Sequence, residues 1–413
     1  MSGLSHRDVQ RFVENSLENR RIRRVLLIPP DFTRLHSCGG VICAIYYELL
    51  LQRGAEVDVM PALGTHEPMT REQIEVFFGG IVPCEKVIVH NWRNDVVRLG
   101  FVPGEYVEKV SEGIMSEPIP VEVNRRIVSG DYDLIVSIGQ VVPHEVVGMA
   151  NYSKNIFVGC GGSAMISASH MLGAAYGMER IMGHADTPVR AIFDYAEEHF
   201  ISHLPIIYAL TVTTRSERGS FDGVSLEGLF IGRGRDLFVQ AAELSQKLNF
   251  IRTGRPPKTV VCRLDELEFH STWLGNKAVY RTRLAIADGG KLIVLAPGVR
   301  RFGEDNECDR IIRKYGYTGR ERILALSKSE PDLRENLSAA AHLIHGSSDG
   351  RFEIAYAAPL LSREEVEGVG YTWLDFDETI NKYNPETLQE GWNTINGEEI
   401  YYIDNPALGL WSV

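Results

Sequence analysis

The chain has 413 residues, 44% hydrophobic and 24% charged, with a formal net charge of −12. That length predicts two domains and that composition a globular protein. The acidic balance argues against nucleic acid as a partner, because binding phosphate needs a local cationic excess. No apolar run reaches the ~18 residues of a membrane span. The opening MSGLSHRDVQRFVENSL lacks the apolar core of a signal peptide and reads as an amphipathic helix. Six cysteines without a CxxC pair read as free thiols in a reducing compartment. The expected location is the cytoplasm, with no membrane partner.

In chain order, RRVLLIPPDFTR (Arg23–Arg34) is a buried-strand pattern running into a proline turn, and GGVICAIYYELLLQRG is a helix ended by Gly54. EVDVMPALGTH is the next strand and delivers His66 at its end. Thr70 and Gln73 form a capping-box signature for a helix. KVIVHNW (Lys86–Trp92) reads as a third strand, Leu134–Ile138 as a fourth that delivers His144, and NIFVG (Asn155–Gly159) as a short strand entering the glycine cluster Gly159, Gly161 and Gly162. A helix starts near Ser163, and TPVRAIFDYAEEHF is another. LPIIYALTVT and SLEGLFIG form a β pair around the polar turn TTRSERGSFDG, and RDLFVQAAELSQKLNFIRT is a long helix. After GRPPKT (Gly254–Thr259) the strand–helix alternation restarts. The fold class expected is α/β: two α/β domains with mainly parallel sheets and the active site in the cleft between them. The expected divisions are 1–253, a linker over 254–258, a smaller domain over 259–384, and a tail over 385–413 that packs back on the body.

In parallel sheets ligands sit beyond the carboxyl ends of the strands. Asp31, Arg34, His66 and His144 all fall there. The stretch QVVPHEVVGMANYSKNIFVGCGGSAMISASHM adds Lys154 and His170 around the glycines. An imidazole, an amine and a second imidazole can supply a base, a covalent anchor and a metal ligand. Taken singly, each also has an ordinary reading: Asp31 as a turn cap, His66 as a helix cap, His144 in a loop, Lys154 in solvent, His170 in a core.

Together these segments resemble the nickel-pincer lactate racemases. DFTR is similar to the family's D-x-T-R turn, GTHEPMT to its G-T-H-x-P-M-T segment, PHE to its second base, YSK to the region of its anchoring lysine, and Ser169–His170 to its nickel-binding histidine. The resemblance implies His66 and His144 as catalytic bases. It implies Lys154, Asp31, Thr33, Arg34, Gly161 and Gly162 at the cofactor, and His170 on the metal. For the substrate it implies Arg34, Lys277 and Trp273. Two departures stand out. Many members carry YSGG before the lysine, whereas here YS runs directly into Lys154. Many carry Tyr-Gln before the second-domain lysine, whereas STWLGNKAV has Trp273 and Leu274 there.

The implied cofactor is nickel-pyridine-3,5-bisthiocarboxylate mononucleotide, the nickel-pincer nucleotide, covalently attached to Lys154. The implied partners are a small 2-hydroxy acid and the enzymes that make the cofactor. The implied activity is an isomerase's: a nickel-dependent racemase or epimerase that moves a hydride reversibly. The Trp273–Leu274 departure points to a substrate other than lactate, a larger hydroxy acid or a sugar acid. Two other classes compete. One is a metal-dependent hydrolase using His66, His144 and His170 as three ligands. The other is a non-catalytic protein that binds a small acid.

Overall fold

The computed structural model describes residues 3–216, 221 and 223–413. The turn expected over 213–223 therefore lies partly outside the described residues. The chain divides into two compact units: Met1–Leu172 with Met182–Asn249, and Gly173–Ile181 with Phe250–Val413. Both are built on mainly parallel sheets, as the strand–helix alternation predicts.

The first unit holds a five-stranded sheet ordered Glu56–Val59, Arg24–Ile28, Leu134–Gln140, Ile206–Arg215 and Val224–Gly232. The first four strands run parallel and the last is antiparallel. Arg24–Ile28 and Leu134–Gln140 are covered on both faces, which is why they read as continuous apolar runs rather than alternating ones. The helix Gly39–Gln52 is buried along most of its circumference. His6–Ser16 is amphipathic, capped reciprocally by Ser5 and Asp8, and buries Val9 and Val13. Thr70 and Gln73 form the expected capping box at Arg71–Phe77.

Two segments differ from the sequence reading. Lys86–Trp92 is not a strand. Val87 makes one bridge to Val59, and the chain then leaves the sheet. His90 is buried there, accepting from Asn124 Nδ2 at Nδ1 (2.9 Å) and donating from Nε2 to the Gly161 carbonyl (3.1 Å). The next strand is Val96–Val102, antiparallel to Ile119–Asn124. Asn155–Gly159 is a turn of π-helix rather than a strand. The Asn155 amide explains the difference: it donates to Ser137 Oγ (3.0 Å) and the Ile28 carbonyl (3.3 Å), so the segment is fastened across the carboxyl ends of two strands.

The second unit has a six-stranded sheet ordered Thr372–Trp373, Glu353–Ala357, Lys291–Leu295, Thr259–Arg263, Glu398–Ile403 and Gly391–Ile395, antiparallel only at the last pair. Leu410–Ser412 pairs in parallel with Phe250–Arg252. Among the described residues no helix is long and apolar enough to cross a membrane.

Candidate functional site

Three strands of the first unit deliver the candidate residues. Asp31 and Arg34 follow Arg24–Ile28, His66 follows Glu56–Val59, and His144 follows Leu134–Gln140. Asp31 caps the 3-10 turn Phe32–Ser37 with one oxygen and serves a histidine with the other. Oδ1 accepts from the Thr33 amide (3.2 Å) and hydroxyl (2.5 Å), while Oδ2 accepts from His66 Nδ1 (2.5 Å). Asp31 is thus a turn cap and a hydrogen-bond partner of His66 at once. Burial alone raises its carboxyl. The hydrogen bond and charge of His66, with help from Thr33 and Arg34, outweigh that and hold it below the ordinary range. Because Nδ1 of His66 is the donor to a carboxylate, Nε2 carries the free lone pair. The His66 side chain is 58% exposed.

His144 is wired the other way. It is buried, and its Nδ1 accepts from the Val146 amide (3.1 Å), so the neutral ring carries its proton on Nε2. Burial pushes its pKa well below the usual value, and the charges of Lys154, Arg34 and His170 push the same way against Glu145. Lys154 lies just before the π-turn. Burial, reinforced by Arg34 and Arg190, lowers its amine to about 8, against the opposite pull of Glu145 and Asp31. His170, on the helix Ser163–Tyr176, donates from Nδ1 to the Ile166 carbonyl (2.7 Å), which leaves Nε2 as a lone-pair donor. Burial, then Lys154, brings its pKa down to about 4, so the ring is neutral at ordinary pH. The charges of Arg34, Lys154 and His170 all act on His144, Arg34 acts on Lys154, and Lys154 on His170, so the four share one electrostatic neighbourhood. Glu145, which sequence reasoning passed over beside His144, belongs to it too.

The glycines have a packing reason. A Cβ on Gly161 would stand 1.9 Å from the Phe157 carbonyl oxygen, and one on Gly162 2.3 Å from a Glu122 carboxylate oxygen. Lys277 and Trp273 lie in the second unit. The Lys277 ammonium is 3.8 Å from Glu268 and over the Phe269 ring, and Trp273 stacks on buried His342 with centroids 4.2 Å apart. A cavity of about 230 Å³ in that unit, lined by Tyr317, Ser347, Asp349 and Tyr371 among others, contains none of the predicted site residues. Among the described residues no three His, Cys, Asp or Glu side chains gather around one metal position. The three-histidine hydrolase site is therefore not assembled.

These parts define a two-unit α/β protein whose first sheet carries His66 and His144 beyond the carboxyl ends of two strands, with the half-buried amine of Lys154 acting on His144. Residues 10–180 match the family model for the lactate racemase N-terminal domain. No curated protein matches the chain. Among solved structures, a protein of Thermotoga maritima is similar at 24% identity and a TM-score of 0.82, covering 100% of this chain and 99% of its own. The lactate racemase apoprotein from Thermoanaerobacterium thermosaccharolyticum is similar at 18% identity and a TM-score of 0.72, covering 100% and 94%. At these identities the likeness establishes the fold.

Proposed function

We propose that the protein is a racemase or epimerase of a 2-hydroxy acid that carries a nickel-pincer nucleotide on Lys154. The observation that carries this reading is the pairing of a half-buried, readily deprotonated amine with an imidazole whose Nε2 is unprotonated and whose Nδ1 is already committed to a carbonyl. The residues present fit the group. A neutral amine at Lys154 can be acylated, and a neutral imidazole at His170 suits Ni(II). Lys154 and His170 would hold the nucleotide, which supplies reversible hydride acceptance when bound.

The remaining chemistry belongs to the chain. Arg34 binds the substrate carboxylate through its planar fork of N–H donors. His66 takes the substrate's hydroxyl proton at Nε2, and the Asp31 carboxylate stabilises the resulting imidazolium through Nδ1–H. His144 presents Nε2–H as a donor to the oxygen that becomes a keto group. In this tautomer His144 is an acid or hydrogen-bond donor; acting as a base would set its Nδ1–H against the Val146 amide. The substrate is a larger hydroxy acid or a sugar acid rather than lactate. Supporting this, Trp273 and Leu274 carry no side-chain amide where many relatives have one.

The test is intact mass and metal content of the chain co-expressed with cofactor-making enzymes. The expected result is bound nickel and an adduct mapped to Lys154, both lost together with racemisation in Lys154→Ala. A folded wild-type chain without an adduct, or an active Lys154→Ala enzyme, would overturn the proposal.

A further inference from the structure

Immediately before Lys154 the backbone does something unusual. Asn151 and Tyr152 are consecutive non-glycine residues in the left-handed region, at φ of 63° and 57°. That conformation is disfavoured, for Tyr152 more than for Asn151, because Cβ crowds the following carbonyl. Such a turn persists only where its surroundings over-determine it. Here the surroundings converge on one side chain. Arg190, on the helix Pro188–Ala196, is fully buried. Its Nη2 donates to the carbonyls of Met149 (2.7 Å) and Asn151 (3.1 Å), and its Nη1 donates to Ser153 Oγ (2.9 Å). One guanidinium therefore grips the chain before, within and after the left-handed pair.

The rest of the neighbourhood braces the same turn. Ser153 Oγ passes its proton toward Asp194 (3.4 Å), which is paired with Arg235 (2.7 Å). The Tyr152 hydroxyl donates to the Arg233 carbonyl (3.0 Å), and its ring stacks on Phe238, over which Arg190 also lies. A guanidinium kept from water to bond two carbonyls and a hydroxyl is an expensive way to fill a core. An apolar side chain would pack there at less cost but could not hold three acceptors in one plane.

We propose that Arg190 is the positioning residue for Lys154: its planar fork holds the left-handed Asn151–Tyr152 turn and so fixes where the amine two residues further on stands. This rests on the reading of Lys154 as the cofactor anchor. The charge of Arg190 also acts on Lys154, in the direction that favours the neutral amine. Arg190 is fully buried and acts through Ser153 and the backbone.

The experiment uses the full chain without cofactor. Lys154 is acetylated with acetic anhydride across a pH series and quantified by peptide mass, in the wild type and in Arg190→Lys, Arg190→Gln and Ser153→Ala, each with its thermal midpoint recorded. The wild-type profile is expected to turn near pH 8. Arg190→Lys retains a charge but not the fork. If geometry is the role, it shifts the profile in the same direction as Arg190→Gln, which loses the charge as well and shifts it further; a midpoint raised by about one unit lowers Lys154 labelling at the wild-type midpoint by about fivefold. Ser153→Ala removes one of the three acceptors and lowers labelling by about two- to threefold, the smaller part of that span. A folded Arg190→Lys chain with the wild-type profile would overturn the proposal, since charge or bulk alone would then suffice. Should neither Arg190 variant fold, Ser153→Ala decides, and an unchanged profile there overturns it equally. A wild-type chain that takes no adduct but shows the Arg190-dependent profile would sink the anchoring reading and leave the positioning role standing.

Discussion

His66 and His144 follow the two strands that flank Arg24–Ile28, and Asp31 and Arg34 follow the strand between them. The symmetry of placement does not extend to chemistry. His66 is exposed and donates from Nδ1 to a carboxylate; His144 is buried and accepts at Nδ1 from a backbone amide. In each case the partner of one ring nitrogen dictates what the other can do. Two residues of the same type at matching strand ends thereby differ in what Nε2 offers: a lone pair on His66 and an N–H on His144. A reaction in which one oxygen first loses its proton and then needs a hydrogen bond as it becomes a carbonyl would be served by this asymmetry.

The comparison can be broken at several points. Replacing either histidine with alanine should have the largest effect, a loss of about 10²–10⁴ in kcat/KM, the usual scale of general acid–base catalysis. For a true racemase the loss must be equal in both directions, because the equilibrium constant between enantiomers is one. The asymmetry then shows in how kcat and KM divide it. Equal division in the two single variants would mean that the opposed tautomers have no functional consequence. A smaller effect is expected from Asp31→Asn, which keeps an oxygen for His66 Nδ1–H but removes the charge that stabilises the imidazolium. A fall of about 10–100-fold, the scale of outer-shell partners, is expected in steady-state assays. A fall as large as that of His66→Ala would show instead that Asp31 touches the reaction itself.

Much of this arrangement is legible in the sequence, and the boundary of legibility has a physical cause. Arg24–Ile28, Leu134–Gln140 and Gly39–Gln52 are decided by burial on all sides, which leaves an uninterrupted apolar signature. Asp31, His66 and His144 could be located because a parallel strand points its carboxyl end at the site. Val96–Val102 was hidden because its pairing depends on Ile119–Asn124, a distant and partly exposed partner. Asn155–Gly159 looks like a strand by residue type, yet the hydrogen bonds of one amide side chain to strand ends decide otherwise. Arg190 carried no usable signal, since an arginine in a helix is ordinarily at the surface. The missing glycines before Lys154 did announce that something must differ there. The structure shows that Asn151 and Tyr152 adopt left-handed φ values without them.

The difference in burial between the two histidines also predicts a difference in acid sensitivity. His144 is held neutral by burial, with its pKa well below 6.5, whereas in the unfolded chain it titrates near that ordinary value. Below pH 6.5 the unfolded state therefore binds a proton that the folded state refuses. Stability that is fully present above the unfolded pKa is lost as pH falls, by at most about 1.4 kcal/mol per pH unit for one such group. His144→Gln keeps an acceptor for the Val146 amide and cannot titrate. Its urea midpoint should fall less steeply than the wild type's between about pH 6.5 and 5, the window set by the ordinary histidine value. Glu145 and Lys154 face the same imidazole, so the comparison is best made against the wild type at each pH rather than against a single reference. Parallel midpoint curves for the two chains would mean that His144 takes up its proton in the folded state, and that the buried donor assigned to it is instead an ordinary solvent-exchanging histidine.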